Sequence, residues 1–421
     1  MARQAGTQPA GPERAVLEHT GLEHTGRRQA WRAPLVAAME RRLPAILADI
    51  EALVVCESPS AVADAVSRSA DLVAALGRRH LGTEPERIVV DGCAHLRWRL
   101  GAASGTGPGL GGGVLVLAHH DTVWPLGSLQ THPFSVRDGV LRGPGCFDMK
   151  AGLVLALHAL AELGSAGQFG PGGVTLLVTG DEELGSPTSR GLIEAEAAGC
   201  RAALVLEASA DGGALKTARK GVSLYEVRAV GRAAHAGLEP ERGVNATVEL
   251  AHQVLAVAGL ADGALGTTVT PTALSSGTVS NTVPASGAFS VDVRMWDTAE
   301  QARVHAAMSS LLPVVPDAVL QVSGGPNRPP LAASSSDALF ALASSVAAGL
   351  GLPPLTSATV GGASDGNFTA GIGTPTLDGL GAVGGGAHAD HEHVLVDSLP
   401  GRAALLAGLI DTLLIEGTQD A

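Results

Sequence analysis

Three apolar segments of the sequence each run directly into acidic or imidazole side chains. VLVLA precedes His119, VTLLVT precedes the acidic run GDEE, and AALVL precedes Glu207. A continuous apolar run of this length is typical of a strand buried on both faces of a parallel sheet. The intervening stretches DMKAGLVLALHALAEL and RGLIEAEAAG have helical patterns. The alternation therefore predicts a parallel α/β sheet with right-handed crossovers.

The pattern changes near residue 215 and changes back near residue 328. Between these points, strands such as GVSLYEVRAV alternate apolar and polar residues, as strands with one solvated face do. GGPNRPP then supplies Gly and Pro for a return turn. The sequence predicts an α/β domain at 31–214 and 329–421, with an inserted α+β domain at 215–328. Residues 1–30 are polar and carry the repeat LEHTGLEHTG, so we expect a disordered tail.

The composition of the chain excludes several classes of partner. The 421 residues carry a net charge of −13, which would repel a nucleic acid, and they contain no basic stripe. The four cysteines are widely spaced, which indicates neither a zinc knuckle nor a disulfide framework. The sequence has no signal pattern and no apolar run of about 18 residues. We therefore expect a cytoplasmic protein that binds neither nucleic acid nor membranes.

The polar residues that follow the apolar segments should lie close together. Parallel strands place their carboxyl ends at one edge of a sheet, where ligands bind. Several carboxylates in one pocket repel each other unless cations neutralise them. Imidazole and carboxylate ligands without thiolate suit zinc, and also cobalt or manganese, and their number suffices for two-metal hydrolysis. The residues are His119, His120, Asp121, Glu182, Glu183 and Glu207.

Other candidates have simpler interpretations when each is taken alone. Asp148, in RGPGCFDMKAG, follows a turn and precedes a helix, which is also the position of an N-cap. Glu182 and Glu183 are adjacent and cannot share one direction, so one would face a metal and the other the substrate. Both would instead be solvated if they only began a helix, where the dipole favours acids. A last cluster, GAHADHEHV, contains three histidines.

Six motifs in this order resemble those of the M20 metallopeptidases: HHDTV, GPGCFDMK, TGDEELGS, LEAS, AAHAG and GGGAHADHEHV. The glutamate carboxypeptidase (carboxypeptidase G2) branch is the most similar, and acetylornithine and succinyl-diaminopimelate deacylases are relatives. The resemblance spans residues 40–415. It implies a zinc-peptidase-like fold, α/β with a mixed, mostly parallel sheet and helices on both faces. It also implies an inserted α+β lid domain that forms a homodimer.

The resemblance implies ligands for two zinc ions per subunit. His119 and Glu207 would bind the first ion, Glu183 and His388 the second, and Asp148 would bridge them. In the family, a cis peptide follows the bridging aspartate, so we expect one after Asp148.

The family pattern also selects between neighbouring histidines. Its His-x-Asp spacing favours His119 over His120. A histidine that stands after small residues, and before a small residue and Asp, corresponds to His388, which leaves His391 and His393 as surface residues.

The resemblance implies three catalytic roles. Glu182 would be the general base, which polarises a metal-bridging water and passes its proton to the leaving amine. Asp121 would hold the imidazole of His119, as a partner of a metal-bound histidine does. In the inserted domain, His235 of AAHAG corresponds to a histidine that steadies the developing oxyanion.

The resemblance also indicates residues that bind substrate. Asn281 in GTVSNTVPAS and Arg294 in VDVRM match positions that hold a substrate carboxylate, although alone they would be a turn residue and a solvated strand residue. Gly361 and Gly362 in TVGGASDGNF resemble a glycine pair that lets a ligand approach the backbone. Asn245 either supports the lid or is an exposed helix residue.

The implied function is hydrolysis of an amide bond next to a free carboxylate. The products would be a C-terminal amino acid, with glutamate favoured, and the remainder of a small peptide or N-acyl amino acid. Alternatives in the same family are an N-acyl amino acid deacylase and an aminoacylase, although SDGNF lacks the Arg that the diaminopimelate and acetylornithine deacylases carry after SD. A non-catalytic binding protein, or a metal store, would not need Glu182 beside Glu183.

Overall fold

The computed structural model describes residues 31–101, 112–170 and 172–416. The tail expected at 1–30 lies outside the described residues. The described helices are α1 (Leu35–Val55), α2 (Ala63–Leu81), α3 (Ala151–Ser165), α4 (Arg190–Ala197), α5 (Ala246–Ala258), α6 (Thr298–Ser309), α7 (Asp337–Gly349), α8 (Gly366–Gly371) and α9 (Leu399–Glu416). The described strands are β1 (Glu86–Val90), β2 (Cys93–Leu100), β3 (Val114–His119), β4 (Ser135–Arg137), β5 (Val140–Arg142), β6 (Val174–Thr179), β7 (Ala202–Val205), β8 (Leu215–Arg219), β9 (Gly221–Val230), β10 (Thr268–Ser276), β11 (Ser286–Met295), β12 (Val319–Arg328), β13 (Ser357–Val360), β14 (Thr376–Leu377), β15 (Gly384–Gly385) and β16 (His393–Leu395).

The main sheet has six strands in the order β1-β2-β6-β3-β7-β14. The last four run parallel to one another, and β1 and β2 pair antiparallel at one side. The three apolar segments form the adjacent strands β6, β3 and β7, and every residue in them is buried. The predicted mixed, mostly parallel sheet is confirmed.

Helices cover both faces of this sheet, which explains why its central strands are apolar throughout. Val114 and Val116 of β3 face a large core that includes residues of α1, α3 and α9. Leu115 and Leu117 face a smaller cluster formed with α4 and α8. Alternate residues of one strand thus enter different cores, so neither face tolerates a polar side chain until the strand ends at His119.

A small antiparallel sheet, in the order β15-β16-β5-β4, lies beside the main one. In this sheet the last residue of β5, Arg142, pairs with the first residue of β16, His393. Two loops therefore leave the same end of this ladder. One is the Asp148 loop (residues 143–149), which follows β5, and the other is the His388 loop (residues 386–392), which precedes β16.

A second antiparallel sheet, in the order β10-β11-β9-β12, is formed by the inserted segment. Helices α5 and α6 contribute to a separate apolar cluster with this sheet, so the segment has its own core. The strand β8 lies within the predicted range 215–328 but pairs with β13 of the C-terminal part, and the inserted sheet begins at Gly221. The exact domain boundaries and the role of the segment as a lid stay predictions.

The two chain crossings between the inserted sheet and the rest run side by side. Arg219 and Leu331 exchange backbone hydrogen bonds of 3.0 Å in both directions. The side-chain amide of the buried Asn367 donates to the carbonyl oxygens of Lys220 and Pro329, at 3.1 and 2.7 Å. One side chain therefore ties both crossings together.

One helical span among the described residues is long and apolar enough to cross a membrane. It covers Val396–Ile415, 20 residues with a mean hydropathy of 1.4, so the expectation that no segment reaches this length is corrected. However, 78% of its apolar 18-residue stretch is buried in the fold, and α9, which makes up most of the span, packs against α1, α3 and α7. Such burial is what the core helix of a soluble protein shows.

Candidate metal centre

His119, the last residue of β3, lies at the carboxyl edge of the main sheet. Its Nε2 atom is 3.5 Å from Oδ1 of Asp148 and 3.5 Å from Oε1 of Glu207. This atom is buried and has no hydrogen-bond partner among the described residues. The distance is long for a hydrogen bond. It matches the spacing of about 3.4 Å between two ligand atoms that each lie about 2.0–2.1 Å from one tetrahedral zinc ion.

Asp148 directs its two carboxylate oxygens towards two different imidazoles. While Oδ1 faces His119, Oδ2 lies 3.2 Å from Nε2 of His388. The same Nε2 atom is 3.1 Å from Oε2 of Glu183. The peptide between Asp148 and Met149 is cis, which confirms the sequence expectation. The two oxygens of Asp148 therefore each face a different imidazole nitrogen.

Asp121 is fully buried and organises the residues around it. Its backbone carbonyl lies 3.0 Å from Nδ1 of His119, which leaves Nε2 of that ring directed into the centre. Its carboxylate accepts hydrogen bonds from the backbone N–H groups of Glu182 and Glu183, at 3.3 and 3.2 Å, and from the hydroxyl of Ser60 at 2.6 Å. Asp121 therefore orients a histidine and both glutamates at once.

Glu182 contacts an arginine that the sequence analysis did not identify. Nη2 of Arg328 donates to Oε1 of Glu182 at 2.8 Å, and it also lies 3.1 Å from Oδ1 of Asp365. Arg328 is buried and is the last residue of β12, which continues through most of GGPNRPP, so the turn predicted there is corrected to strand. A buried arginine is costly unless it is paired with an acid. In the sequence, Arg328 is a cation in a segment that was expected to be a solvated turn, so no local pattern indicated its burial.

The protonation of the centre reflects its crowded carboxylates. Burial raises the pKa of Glu182 well above its usual range, and the guanidinium of Arg328 opposes this shift. Burial also raises the pKa of Glu183. Hydrogen bonds to Asp148 and Glu183 raise the pKa of His388 to about 10. Without an ion, these groups thus share protons, which a divalent cation would displace on binding.

A second buried arginine, Arg219, stands behind Glu207. Its Nη2 atom lies 3.6 Å from Oε2 of Glu207, and its Nε atom lies 2.8 Å from Oδ2 of Asp378. Nη1 donates to the carbonyl oxygen of Gly362 at 3.1 Å. Arg219 therefore orients Glu207 and connects the centre with the predicted glycine pair. Gly361 and Gly362 themselves are exposed.

The competing histidines lie away from the ion positions. His120 is buried with its Nε2 atom 3.1 Å from the carbonyl oxygen of Ala94. His391 is exposed, and Nδ1 of His393 lies 3.0 Å from the carbonyl oxygen of His391.

The predicted residues of the inserted segment do not join the cluster in this structure. Among the described residues, His235 bonds only within its own loop, where Nδ1 accepts from the N–H groups of Gly237 and Leu238 at 3.1 Å each. Asn281 is exposed beside it, and its carbonyl accepts from the N–H of residue 236. Arg294 forms a two-pronged ion pair with Asp292, with both distances 2.8 Å.

Asn245 has a local role in the inserted segment. Its side chain accepts hydrogen bonds from the N–H groups of Thr247 and Val248, at 3.0 and 3.2 Å, and so caps α5. This contact satisfies two N–H groups that have no partner inside the helix.

In the described part of the chain, two further groups of candidate ligands lie elsewhere. Asp49 contacts Nε2 of His80 and of His158 at 2.7 and 2.9 Å, which are hydrogen-bond distances and leave no room for an ion between the atoms. Cys93 and His95 lie near Asp181, whose carboxylate already accepts four hydrogen bonds from Thr188 and Ser189. In the first group the atoms already form hydrogen bonds with one another, and in the second the carboxylate already has four donors.

The residues at the main centre fit divalent metal ions. One set within 4.8 Å consists of His119, Asp148 and Glu183, and another of His119, Glu182 and Glu207. The orphaned nitrogen of His119 and a similarly buried, unpartnered Oε1 atom of Glu183 leave donor atoms available for an ion. A mixed imidazole and carboxylate site at the carboxyl edge of a parallel sheet is the kind of site that metallohydrolases use.

Comparison with known proteins agrees with this class. The family model of Peptidase family M20/M25/M40 matches residues 115–412. Carboxypeptidase G2 from Pseudomonas sp. (strain RS-16) is 31% identical over 376 residues, which cover 87% of this chain and 89% of that protein. The chain belongs to the M20 family and is a hydrolase.

Two further relatives show the range of the similarity. Succinyl-diaminopimelate desuccinylase from Methylorubrum populi is 31% identical over 333 residues, covering 72% of this chain and 83% of that protein. The solved structure of the M20 family metallo-carboxypeptidase Sso-CP2 from Sulfolobus solfataricus has a TM-score of 0.68 at 15% identity, and the match covers 88% of this chain and 99% of that one. This last likeness concerns the fold.

Proposed function

We propose that this hydrolase holds two zinc ions and cleaves an amide bond next to a free carboxylate, releasing a C-terminal amino acid, with glutamate favoured. The observation that carries the proposal is the pair of contacts made by Asp148, whose two oxygens face His119 and His388 separately. Glu207 would complete the ligands of the first ion and Glu183 those of the second. Cobalt or manganese would suit the same ligands.

The charge of the centre supports the binding of divalent ions. Its buried carboxylates outnumber the buried guanidinium groups of Arg219 and Arg328. Divalent ions would offset that excess, which is otherwise costly in a buried site. When bound, such ions lower the pKa of water and polarise a carbonyl group.

Glu182 is the residue that we propose moves the proton. Its backbone N–H donates to Asp121, and its carboxylate lies within 4.8 Å of donor atoms of His119 and Glu207, so it would be close to water held by an ion there. We propose that this carboxylate accepts a proton from water and returns it to the leaving amine, as a general acid–base group does.

Recognition of the free carboxylate requires a cation near the scissile bond. We propose Arg294 and Asn281 from the family resemblance, and Arg328 as a further candidate on geometry. Arg328 already reaches Glu182, and its Nε atom is buried without a hydrogen-bond partner among the described residues. Arg294 would first have to release Asp292. The backbone at Gly361 and Gly362 would line the same pocket.

His235 suits the proposed oxyanion role by its hydrogen bonding. Because Nδ1 accepts two backbone N–H groups, the ring hydrogen belongs on Nε2, which can then donate to an oxyanion. The exposed loop must approach the centre for this, either by movement of the inserted sheet or from a second copy of the chain. We accordingly propose a homodimer formed through the inserted segment. A cytoplasmic location remains part of the proposal.

A deacylase of N-acyl amino acids is the second candidate. It uses the same centre and is favoured by the similarity to the desuccinylase. In both candidates the released amino acid carries the free carboxylate next to the amide bond, and they differ in which amino acid and which acyl group the site accepts.

The test is amino-acid release by the zinc-loaded protein from N-acyl amino acids and folate-type glutamate conjugates, with a chelated sample as control. Chelator-sensitive release of glutamate is the expected result. Release of a different amino acid, from the N-acyl amino acids only, would favour the deacylase. A protein that binds two ions but hydrolyses none of these amides would refute the proposal.

A further inference from the structure

We propose that Glu392 is a positioning residue of the metal centre, whose carboxylate holds the Asp148 loop against the His388 loop. The inference rests on the proposed function, because it concerns the ion that Asp148, Glu183 and His388 would share. Glu392 belongs to the motif GAHADHEHV, in which only the histidines had been considered as ligands.

The carboxylate of Glu392 accepts four hydrogen bonds, three of them from backbone N–H groups of the Asp148 loop. Oε1 accepts the backbone N–H groups of Phe147 and Asp148, at 2.8 and 3.0 Å. Oε2 accepts the N–H of Gly145 at 2.9 Å and the indole N–H of Trp124 at 2.6 Å. Glu392 is only 3% exposed, so water cannot replace these bonds. A buried carboxylate with four donors is a strongly determined contact.

The position of Glu392 in the chain explains why this contact matters for the ion. The residue lies directly before β16, whose first residue pairs with the last residue of β5. The Asp148 loop leaves β5 at that same end. Glu392 is therefore the last residue of the His388 loop, and its carboxylate binds the backbone of the Asp148 loop. These two side chains approach to 3.2 Å.

An ionised carboxylate is required because both of its oxygens face donors only. In Glu392→Gln, the amide nitrogen would replace one oxygen and point its own hydrogens at two N–H groups. Either orientation of the amide therefore breaks two bonds, to Phe147 and Asp148 or to Gly145 and Trp124. The loops would then be free to separate, and the ligands of one ion would lose their spacing.

Glu249 offers a matched control in the inserted segment. It is fully buried, and its carboxylate accepts the backbone N–H groups of Val314 and Val315, at 2.9 and 2.6 Å, and the side-chain amide of Gln253 at 2.8 Å. Glu249→Gln thus disturbs the same kind of buried contact, but between elements that carry no ligand of the centre.

The experiment measures zinc binding to metal-free protein by competition with a chromogenic chelator, together with thermal melting. In Glu392→Gln we expect one of the two ions to bind about 10–100-fold more weakly, as is usual when a group that orients a metal ligand is lost. Glu249→Gln should melt at a lower temperature yet bind both ions as the wild type does. Excess zinc should restore kcat to Glu392→Gln without a change in KM, because only occupancy is impaired.

Several outcomes would overturn the inference. Wild-type affinity for both ions in Glu392→Gln, or an equal loss of affinity in Glu249→Gln, would reduce Glu392 to a general contribution to folding. If Glu392→Gln does not fold, Trp124→Phe decides, because it removes one donor and leaves the carboxylate. A few-fold loss of affinity for one ion in Trp124→Phe then supports the inference, and unchanged affinity contradicts it. Failure of the wild type to bind two ions would instead overturn the proposed function.

Discussion

Glu182→Gln separates proton transfer from every other role of this side chain. The amide has the same shape, and its oxygen can still accept the hydrogen bond that Arg328 now donates at 2.8 Å. The amide cannot accept a proton from water. General acid–base catalysis contributes about 10²–10⁴-fold. We therefore expect kcat to fall by that factor, which corresponds to about 3–5 kcal/mol in the activation barrier.

The effect on folding should be much smaller than the effect on rate. After the substitution, Arg328 keeps Asp365 at 3.1 Å and the hydroxyl of Ser186 at 2.8 Å, so its charge remains paired. Weakening one hydrogen bond to a charged group costs about 1–2 kcal/mol. A modest drop in the free energy of unfolding, with a full complement of metal, is the expected result.

The assay is steady-state hydrolysis of the best substrate, with metal content measured on the same sample. Asp365→Asn is the matched control, because it removes a carboxylate from the same guanidinium but leaves Glu182 intact. The kcat of Asp365→Asn should fall by less than about tenfold, which is a much smaller loss than the removal of a general base causes. The reasoning would be refuted by equal losses in the two variants, or by near wild-type turnover of metal-loaded Glu182→Gln.

Three other predictions concern packing, acid stability and the inserted segment. A Cβ at Gly152 would collide with the carbonyl oxygen of Leu206, so Gly152→Ala should destabilise by about 1–3 kcal/mol in urea unfolding. In Gly191→Ala the added Cβ meets open space, so this variant should not be destabilised. Equal unfolding midpoints of the two variants would contradict the prediction. Burial opposes the charge of Asp49, but hydrogen bonds from two histidines and an arginine outweigh it and hold the pKa of Asp49 well below its usual range. That stabilisation is present above about pH 4 and is lost as the pH falls through the folded pKa. In metal-free protein, the difference in unfolding free energy between wild type and Asp49→Asn should therefore shrink by about 1 kcal/mol from pH 7 to pH 3; a constant difference would show that Asp49 is not held in this way. His235→Ala should lower kcat while metal content stays constant, and an unchanged kcat would remove His235 from the oxyanion role.

The central strands and the residues at their ends were predictable because both depend on local sequence. A strand buried on both faces requires an uninterrupted apolar run, and the first polar residue after it must lie at the sheet edge. His119 and Glu207 could be placed in this way. The inserted sheet was visible for the complementary reason, because the alternation in β9 reports one solvated face.

The pairing partner of β8 was not predictable from these local sequence patterns. Its short sequence, LKTAR, was assigned to the inserted segment, but the strand pairs with β13, which begins about 140 residues later. Pairing between distant strands depends on the path of the chain in between, and periodicity within one strand does not report it.

The sequence by itself determined which side chains are chemically able to bind metal and which strands deliver them. Only the tertiary structure decided what holds those side chains in place. Arg328 reaches Glu182 across 146 positions, and Glu392 reaches the N–H of Asp148 across 244. Both are charged residues in segments that would be solvated if they stood alone. Their burial is tolerable only because folding brings them opposite charges or unpaired N–H groups, which no local pattern records.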